Sequence, residues 1–328
     1  MTTNPAPYVS ILIPVYNEEE SLRPLHAELL DALTGLGGRG GEIILVDDGS
    51  EDGSFDICRE LHEAHPGTTR VIRFRRNYGQ TAALAAGFAV ARGDVMVPMD
   101  ADLQNDPADI HALLAKLEEG YDVVSGWRKS RQDRLLSRRF PSIVANRLIS
   151  WSTSVKLHDY GCTLKAYRRE IAEHLQLYGE MHRFLPALAH WAGARVTEIP
   201  VNHRPRKFGT SKYGISRTLR VILDLMTVKF LLSYSTKPMQ VFGRFGIYSL
   251  LGGFAAGTLS VVFKIFPPHQ DMTDTPWLYL AILLMLGGLQ LIGMGLLGEI
   301  NVRTYYESQR KATYTVRETL GFPPVGRE

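Results

Sequence analysis

The sequence of 328 residues has two cysteines, Cys58 and Cys162, which excludes a disulfide-stapled scaffold and any four-cysteine metal site. It contains no GxxxxGK[ST] loop, no HExxH and no GxSxG, so the simplest nucleotide-triphosphatase, zincin and serine-hydrolase chemistries are set aside. His182, His190 and His203 lack metal-ligand spacing and read as structural. Residues 1–7 (MTTNPAP) have no apolar core, so no secretory signal is read there and the amino end is expected to stay in the cytosol. Internal repeats and low-complexity tracts are missing too. With 45% hydrophobic and 22% charged residues, wholesale disorder is excluded.

A net charge of +3 conceals an asymmetry. Residues 127–147 hold seven Lys/Arg against one acid, and residues 203–244 hold nine against one. Two basic segments on an otherwise acidic body point to anionic ligands or an anionic membrane surface, not to nucleic acid.

Two long segments carry no formal charge, residues 245–263 and 277–298. Each is long enough to cross a hydrocarbon core of roughly 30 Å as a helix. Their connection, 267–276, has no Lys or Arg, whereas Arg217, Arg220, Lys229, Lys237 and Arg244 precede the pair and Arg303, Arg310 and Lys311 follow it. Positive-inside asymmetry predicts a membrane hairpin with both flanks cytoplasmic; a buried hairpin in a soluble core is the alternative. Small residues at Gly253, Gly257, Gly287, Gly288, Gly293 and Gly295 offer faces for packing within the hairpin or between protomers. Ahead of it, Leu219, Ile222, Leu223 and Met226 recur at helical steps, which suits an amphipathic helix in the headgroup region or an ordinary core-facing one.

The first 125 residues read differently. Short apolar runs at 8–14, 42–48, 69–75, 94–100 and 121–126 alternate with helical spacing at 19–36 and 54–65. Such alternation predicts an α/β fold with a mostly parallel sheet covered on both faces, and ligands beyond the carboxyl ends of the strands. A GxGxxG pattern at 35–40 follows a helix and precedes a strand. A dinucleotide fingerprint needs the opposite order, so this one is an ordinary connection.

Polar clusters fall at the strand ends. Asp100, Asp102 and Gln104, if extended, would present three oxygen ligands on one side, suited to Mg²⁺ or Mn²⁺. A capped turn leading to Asp106-Pro107 is the competing reading. Glu18, Asp47 and Asp48 could accept bonds from a nucleobase or ribose, and Asp48-Gly49-Ser50 equally fits a turn and helix cap.

Five motifs occur in a telling order: Pro14-Val-Tyr16-Asn17-Glu18, Asp47-Asp48-Gly49-Ser50, Arg76-Asn77-Tyr78-Gly79-Gln80, Asp100-Ala-Asp102-Leu-Gln104 and Gly209-Thr-Ser211-Lys212-Tyr213. With them the sequence resembles glycosyltransferase family 2, in its polyprenyl-phosphate branch of dolichol-phosphate mannosyltransferases and bacterial undecaprenyl-phosphate glycosyltransferases. Asp159-Tyr-Gly161-Cys162, the run Arg131-Gln-Asp133 and residues 293–299 look most like the aminoarabinose-type transferases.

The resemblance implies a GT-A (Rossmann-like) nucleotide-sugar-binding domain at 1–210, amphipathic juxtamembrane helices at 211–240, a transmembrane hairpin at 241–300 and a cytoplasmic tail at 301–328. Pro14, Tyr16, Glu18 and Asp47 would surround the base, with Asp48 and Asp100 near ribose and diphosphate. Asp100, Asp102 and Gln104 would hold the metal. Ser211, Lys212 and Arg204 would form a basic lid over the diphosphate, and Arg128, Arg138 and Ser142 would hold a lipid phosphate. Asp100, Asp102, Arg128 and Lys212 are the catalytic set.

The implied activity is inverting transfer from a nucleotide sugar, UDP-linked in preference to GDP-mannose, to polyprenyl (undecaprenyl) phosphate at the inner membrane. A phosphate monoester with second pKa about 6 is already largely a dianion, so no general base is required; Asp159 is the reserve candidate. The alternatives are a GDP-mannose-dependent mannosyltransferase and a catalytically silent nucleotide-sugar-binding membrane subunit. A processive synthase would need more spans and a QxxRW motif. Relatives imply a homotetramer.

Overall fold

The apolar runs of the first 125 residues become strands β1 (Val9–Val15), β2 (Gly41–Asp47), β3 (Thr69–Phe74), β4 (Val95–Pro98) and β5 (Val123–Trp127) in a computed structural model of the chain. The structure describes residues 6–129, 155, 157–173, 185–205, 238–266, 271, 275–308 and 314–322. Between the strands run α1 (Glu19–Thr34), α2 (Ser54–Ala64), α3 (Gln80–Val90) and α4 (Asp109–Glu118). Then follow β6 (Lys165–Arg168), α5 (Arg169–Ala172), α6 (Leu185–Trp191) and β7 (Val196–Pro200).

Alternation along each strand feeds two cores. Ile11, Ile13, Ile43 and Leu45 pack with Leu22, Leu25 and Leu29 of α1, Leu61 of α2 and Leu113 of α4. Leu12, Ile44 and Val46 point the other way, to Ala82, Ala83 and Ala86 of α3 and Leu185 of α6. Both faces are thus covered, which is why the strands are apolar throughout.

With a last strand, β8 (Val316–Leu320), the strand order is β7-β5-β6-β4-β1-β2-β3-β8. β4, β1, β2 and β3 run parallel, whereas β6 is antiparallel to both β4 and β5. The sheet is therefore mixed beyond β4, because β6, which no apolar run predicts, enters antiparallel between β4 and β5. Strand β8 lies within the segment read as tail; it pairs antiparallel with β3, Val71 opposite Leu320. Tyr314 stacks on Phe74 at 4.9 Å and Arg70 sits 3.7 Å over the Phe322 ring. This return strand covers an edge that would otherwise present unpaired amides.

Two units are distinguished, Met1–Val228 with Ala312–Glu328, and Lys229–Lys311. In the second, α7 (Pro238–Ile265) packs along α8 (Pro276–Ser308). A Cβ on Gly246 would lie 2.8 Å from the Gly288 oxygen, and Ser249 Oγ donates to the Leu284 carbonyl at 2.7 Å. Small residues thus let the two backbones approach within the hairpin. Phe242–Ile265 and Pro276–Gly298 are long and apolar enough to cross a membrane. Only 22% and 17% of their apolar windows are buried, against the expectation for a soluble core, and Phe254 and Leu283 are 71% and 69% exposed.

Candidate active site

Strand order reverses at β1, with β2 on one side and β4 on the other, so a crevice opens beyond their carboxyl ends. Pro14, Asp47 and Asp100 stand there. The loops that follow are laced together. Asn17 adopts a left-handed φ of 53°, its N–H donates to Ser50 Oγ at 3.0 Å, and its side-chain oxygen accepts from the Glu51 N–H at 2.9 Å. Glu18 receives the Ser21 hydroxyl at 3.0 Å, and the Glu18 N–H donates to Ser54 Oγ at 2.8 Å.

Asp47 is fully buried and accepts the Ser50 N–H at 3.2 Å, with Arg73 Nε 3.6 Å from its other oxygen. Asp48 accepts the N–H groups of Tyr78 and Gly79 at 2.7 and 2.9 Å, binding the β3 loop and the start of α3 to the β2 loop. Burial raises both carboxyl pKa values above the ordinary range. Gly49 makes this lacing possible: its φ is +71°, and a Cβ there would lie 2.4 Å from the Arg76 carbonyl carbon.

After β4 the chain turns where an extended segment had been expected. Leu103 has φ 61°, so alternation over 100–104 does not hold, and the Gln104 N–H caps Asp102 Oδ1 at 3.1 Å. A left-handed leucine costs roughly 1–2 kcal/mol, and its buried side chain, 2% exposed, holds it in place. Asp100 Oδ1 accepts from Gln80 Nε2 at 2.7 Å, and Oδ2 from Thr163 Oγ1 at 2.8 Å. Burial first, and the charge of Asp102 second, push the Asp100 pKa up to about 6. Two hard carboxylates, one held by neutral donors, fit a divalent cation. Gln104 donates its amide nitrogen to the Arg204 carbonyl at 3.5 Å, an arrangement that uses the nitrogen and not the amide oxygen.

Beside this acidic end lies a buried ion pair. Arg128, following β5, donates Nε to Asp159 Oδ2 at 2.6 Å and Nη2 to Oδ1 at 2.9 Å. The two side chains are 13% and 8% exposed. Burial alone would lower the Arg128 pKa; the bonds to Asp159 outweigh it and raise it. A fixed, fully charged guanidinium near Asp100 is suited to a phosphate. Lys165, 2% exposed, donates to the main-chain oxygens of Tyr160 and Cys162 and so supports the turn that carries Asp159. A recess behind Asp100, lined by Pro14, Gln80, Thr163, Lys165 and Tyr167, has room for about 10 Å³, the size of one water and far below a sugar.

Residues 10–176 match the domain described as glycosyl transferase family 2. The chain belongs to glycosyl transferase family 2. It is 42% identical to a dodecaprenyl-phosphate galacturonate synthase of Rhizobium johnstonii, over 94% of this chain and 92% of that one. It is 40% identical to an undecaprenyl-phosphate 4-deoxy-4-formamido-L-arabinose transferase of Klebsiella pneumoniae, over 98% and 97%. Its fold is GT-A, similar to glucosyl-3-phosphoglycerate synthase of Mycobacterium tuberculosis in complex with Mn²⁺, UDP and glucosyl-3-phosphoglycerate. That likeness has a TM-score of 0.50 at 18% identity and covers 68% of this chain and 80% of that one.

In this family 2 transferase, Pro14, Tyr16, Glu18, Asp47, Asp48, Asp100, Asp102 and Gln104 all come to the carboxyl ends of β1, β2 and β4. Arg204, expected in the lid, is paired with Glu28 at 2.6 Å and Asp106 at 2.9 Å. Arg138, Ser142, Ser211, Lys212 and most of the amphipathic segment 211–240 lie outside the described residues. Three residues of the site have no role in the sequence pattern: Gln80, Thr163 and Lys165. Gln80 ends the Arg76-Asn77-Tyr78-Gly79-Gln80 motif and Thr163 directly follows Asp159-Tyr-Gly161-Cys162; Lys165 carries no signal of its own.

Proposed function

We propose that this transferase moves a sugar, with inversion, from a nucleotide-sugar donor to a polyprenyl phosphate. The observation that carries the reading is the Arg128–Asp159 pair beside the Asp100–Asp102 turn. One element suits an acceptor phosphate and the other a metal-bound diphosphate, and each holds its charge before substrate arrives. The names of the two relatives, both prenyl-phosphate sugar transferases, support the acceptor class. Their sugars, galacturonate and a formamido-arabinose, favour a UDP-linked donor over GDP-mannose.

The chemistry follows from these side chains. A phosphate monoester is a dianion near neutral pH, so the chain's work is alignment and charge balance. Arg128 grips acceptor oxygens, held in orientation by Asp159. Asp159 is thereby engaged as an orienting carboxylate, which leaves the acceptor to attack without a protein base. Mg²⁺ or Mn²⁺ on Asp100, Asp102 and Gln104 would neutralise charge on the departing diphosphate. Lys212, Ser211 and Arg204 complete the donor side, and Arg138 and Ser142 the acceptor side. We place 1–210 and the flanks of the hairpin on the cytoplasmic face of the inner membrane, by the Lys/Arg asymmetry about the two spans.

Purified full-length protein in detergent tests this with labelled UDP-sugars and GDP-mannose, undecaprenyl phosphate and Mn²⁺ or Mg²⁺. Label is expected in the lipid phase only when carrier and divalent ion are both present. Equal donor consumption without the carrier, or full activity in excess EDTA, overturns the reading.

A further inference from the structure

One turn reaches both halves of the site. Asp159 at its start holds Arg128, and Thr163 at its end holds Asp100. The Thr163 hydroxyl sits between two groups of fixed character. Asn105 Nδ2 donates to it at 3.1 Å, and it donates to Asp100 Oδ2 at 2.8 Å. An amide nitrogen only donates, so the hydroxyl proton is committed to the carboxylate. Gln80 fixes the other oxygen at 2.7 Å. Two donors, one on each oxygen, set the plane of the carboxylate and still leave each oxygen a lone pair. The turn is itself braced: the Gly161 N–H donates to Asp159 Oδ1 at 3.1 Å, and buried Lys165 holds the Tyr160 carbonyl at 3.4 Å.

We propose that Thr163 is a positioning residue, whose hydroxyl orients Asp100 toward the divalent cation. It touches neither substrate; it acts through Asp100. Because Asp159 and Thr163 belong to the same braced turn, the metal carboxylate and the acceptor arginine are set by one piece of backbone. The inference rests on the metal-dependent transfer proposed above. Partners of metal ligands in other proteins typically change metal affinity by about 10–100-fold when removed.

The test uses the full-length protein in detergent, with Mn²⁺ binding followed by electron paramagnetic resonance in the presence of UDP. Thr163→Val removes the hydroxyl at nearly constant shape, and Thr163→Ser restores it. Mn²⁺ affinity is expected to fall about 10–100-fold in the valine variant and to stay within about threefold of wild type in the serine variant. The KM for undecaprenyl phosphate should be unchanged in both; in EDTA the serine variant should melt like wild type and the valine variant should unfold cooperatively a few degrees lower, its buried Asn105 amide having lost an acceptor. If the valine protein does not fold, Thr163→Ala removes the same hydroxyl without adding bulk against Asp100. Wild-type affinity in the valine or alanine variant, or a serine variant as weak as valine, overturns the assignment of Thr163 alone. A wild-type protein that transfers sugar but binds no Mn²⁺ overturns the metal reading and this proposal together.

Discussion

Glu42 lies at the start of β2 and Asp100 follows β4, so two acids, one buried and one partly exposed, stand at opposite ends of the sheet's parallel strands. Glu42, 1% exposed, accepts from Ser10 Oγ and the Arg92 N–H, each at 2.7 Å, and from the guanidinium groups of Arg70 and Arg92 at 2.9 and 3.0 Å. Burial alone would raise its pKa; these bonds outweigh that and hold it below the ordinary carboxylate value. Asp100 has neutral donors on both oxygens and Asp102 for a neighbour, and its pKa is pushed the other way. The amino end of the sheet answers its acid with the chain's own arginines. At the carboxyl end, acid is placed near acid, and the nearby Arg128 and Lys165, each bonded to partners of its own, leave the Asp100 pKa raised. The same residue class therefore serves stability at one pole and chemistry at the other.

The largest effect should come from removing the charge at the functional pole. Asp100→Asn is expected to lower sugar transfer by about 10²–10³-fold or more, the loss typical of a group that stabilises developing charge. Its stability should move in the opposite direction. In EDTA the variant should melt no lower than wild type, and a few degrees higher, since a desolvated charge near Asp102 has gone. Lipid-extracted label and thermal unfolding read the two quantities separately. A variant that loses both would erase the contrast with Glu42.

Glu42→Gln reverses the pattern. It leaves Arg70 buried without its counter-ion, at a cost of about 3–5 kcal/mol, while the transfer rate per folded molecule stays near wild type. The pH dependence has a definite sign. The folded-state pKa of Glu42 is lowered from 4.5, so its stabilising contribution is complete above that value and is lost as pH falls through the lowered one. The melting gap between wild type and Glu42→Gln should be widest at neutral pH and close in acid. A gap that widens on acidification would show that the network does not depend on the carboxylate charge.

The two poles also differ in how much could be read from the sequence. Strands β1 to β5 were legible because burial on both faces demands apolar runs, and the run at 8–14 falls within a residue of Val9–Val15. The site's position followed from the same pattern, since polar clusters at strand ends need no three-dimensional knowledge. β6 reads KAYR and β8 reads VRETL, which is mostly exposed. Both are recruited by main-chain pairing with strands far away in sequence, a cause that leaves little trace in composition. At 100–104 the residue types were informative but the backbone was not: the turn at Leu103 depends on a core contact made only after folding. Thr163 and Lys165 were invisible for a related reason. Thr163 takes its meaning from Asp100 and Asn105, far away in sequence, and Lys165 from the main-chain oxygens of a turn that exists only in the folded chain.

The finest test of the functional pole changes one methyl group. A Cβ at Gly161 would lie 3.2 Å from Arg128 Nη2 and 3.5 Å from Asp159 Oδ1. That is close enough to require a shift of a few tenths of an ångström, and Arg128 has little room to give, held by two bonds to Asp159. Misplacing a reacting group by about 1 Å can cost 10²-fold, so a shift of this size should cost only a few-fold. Gly161→Ala is therefore expected to raise the KM for polyprenyl phosphate by about two- to fivefold. Mn²⁺ affinity should stay at the wild-type value, because Asp100 is held from the far end of the turn by Thr163. Steady-state kinetics with varied carrier, alongside a Mn²⁺ titration, separates the two. If both constants move together, the turn transmits the displacement along its length, and acceptor and metal sides cannot be adjusted independently.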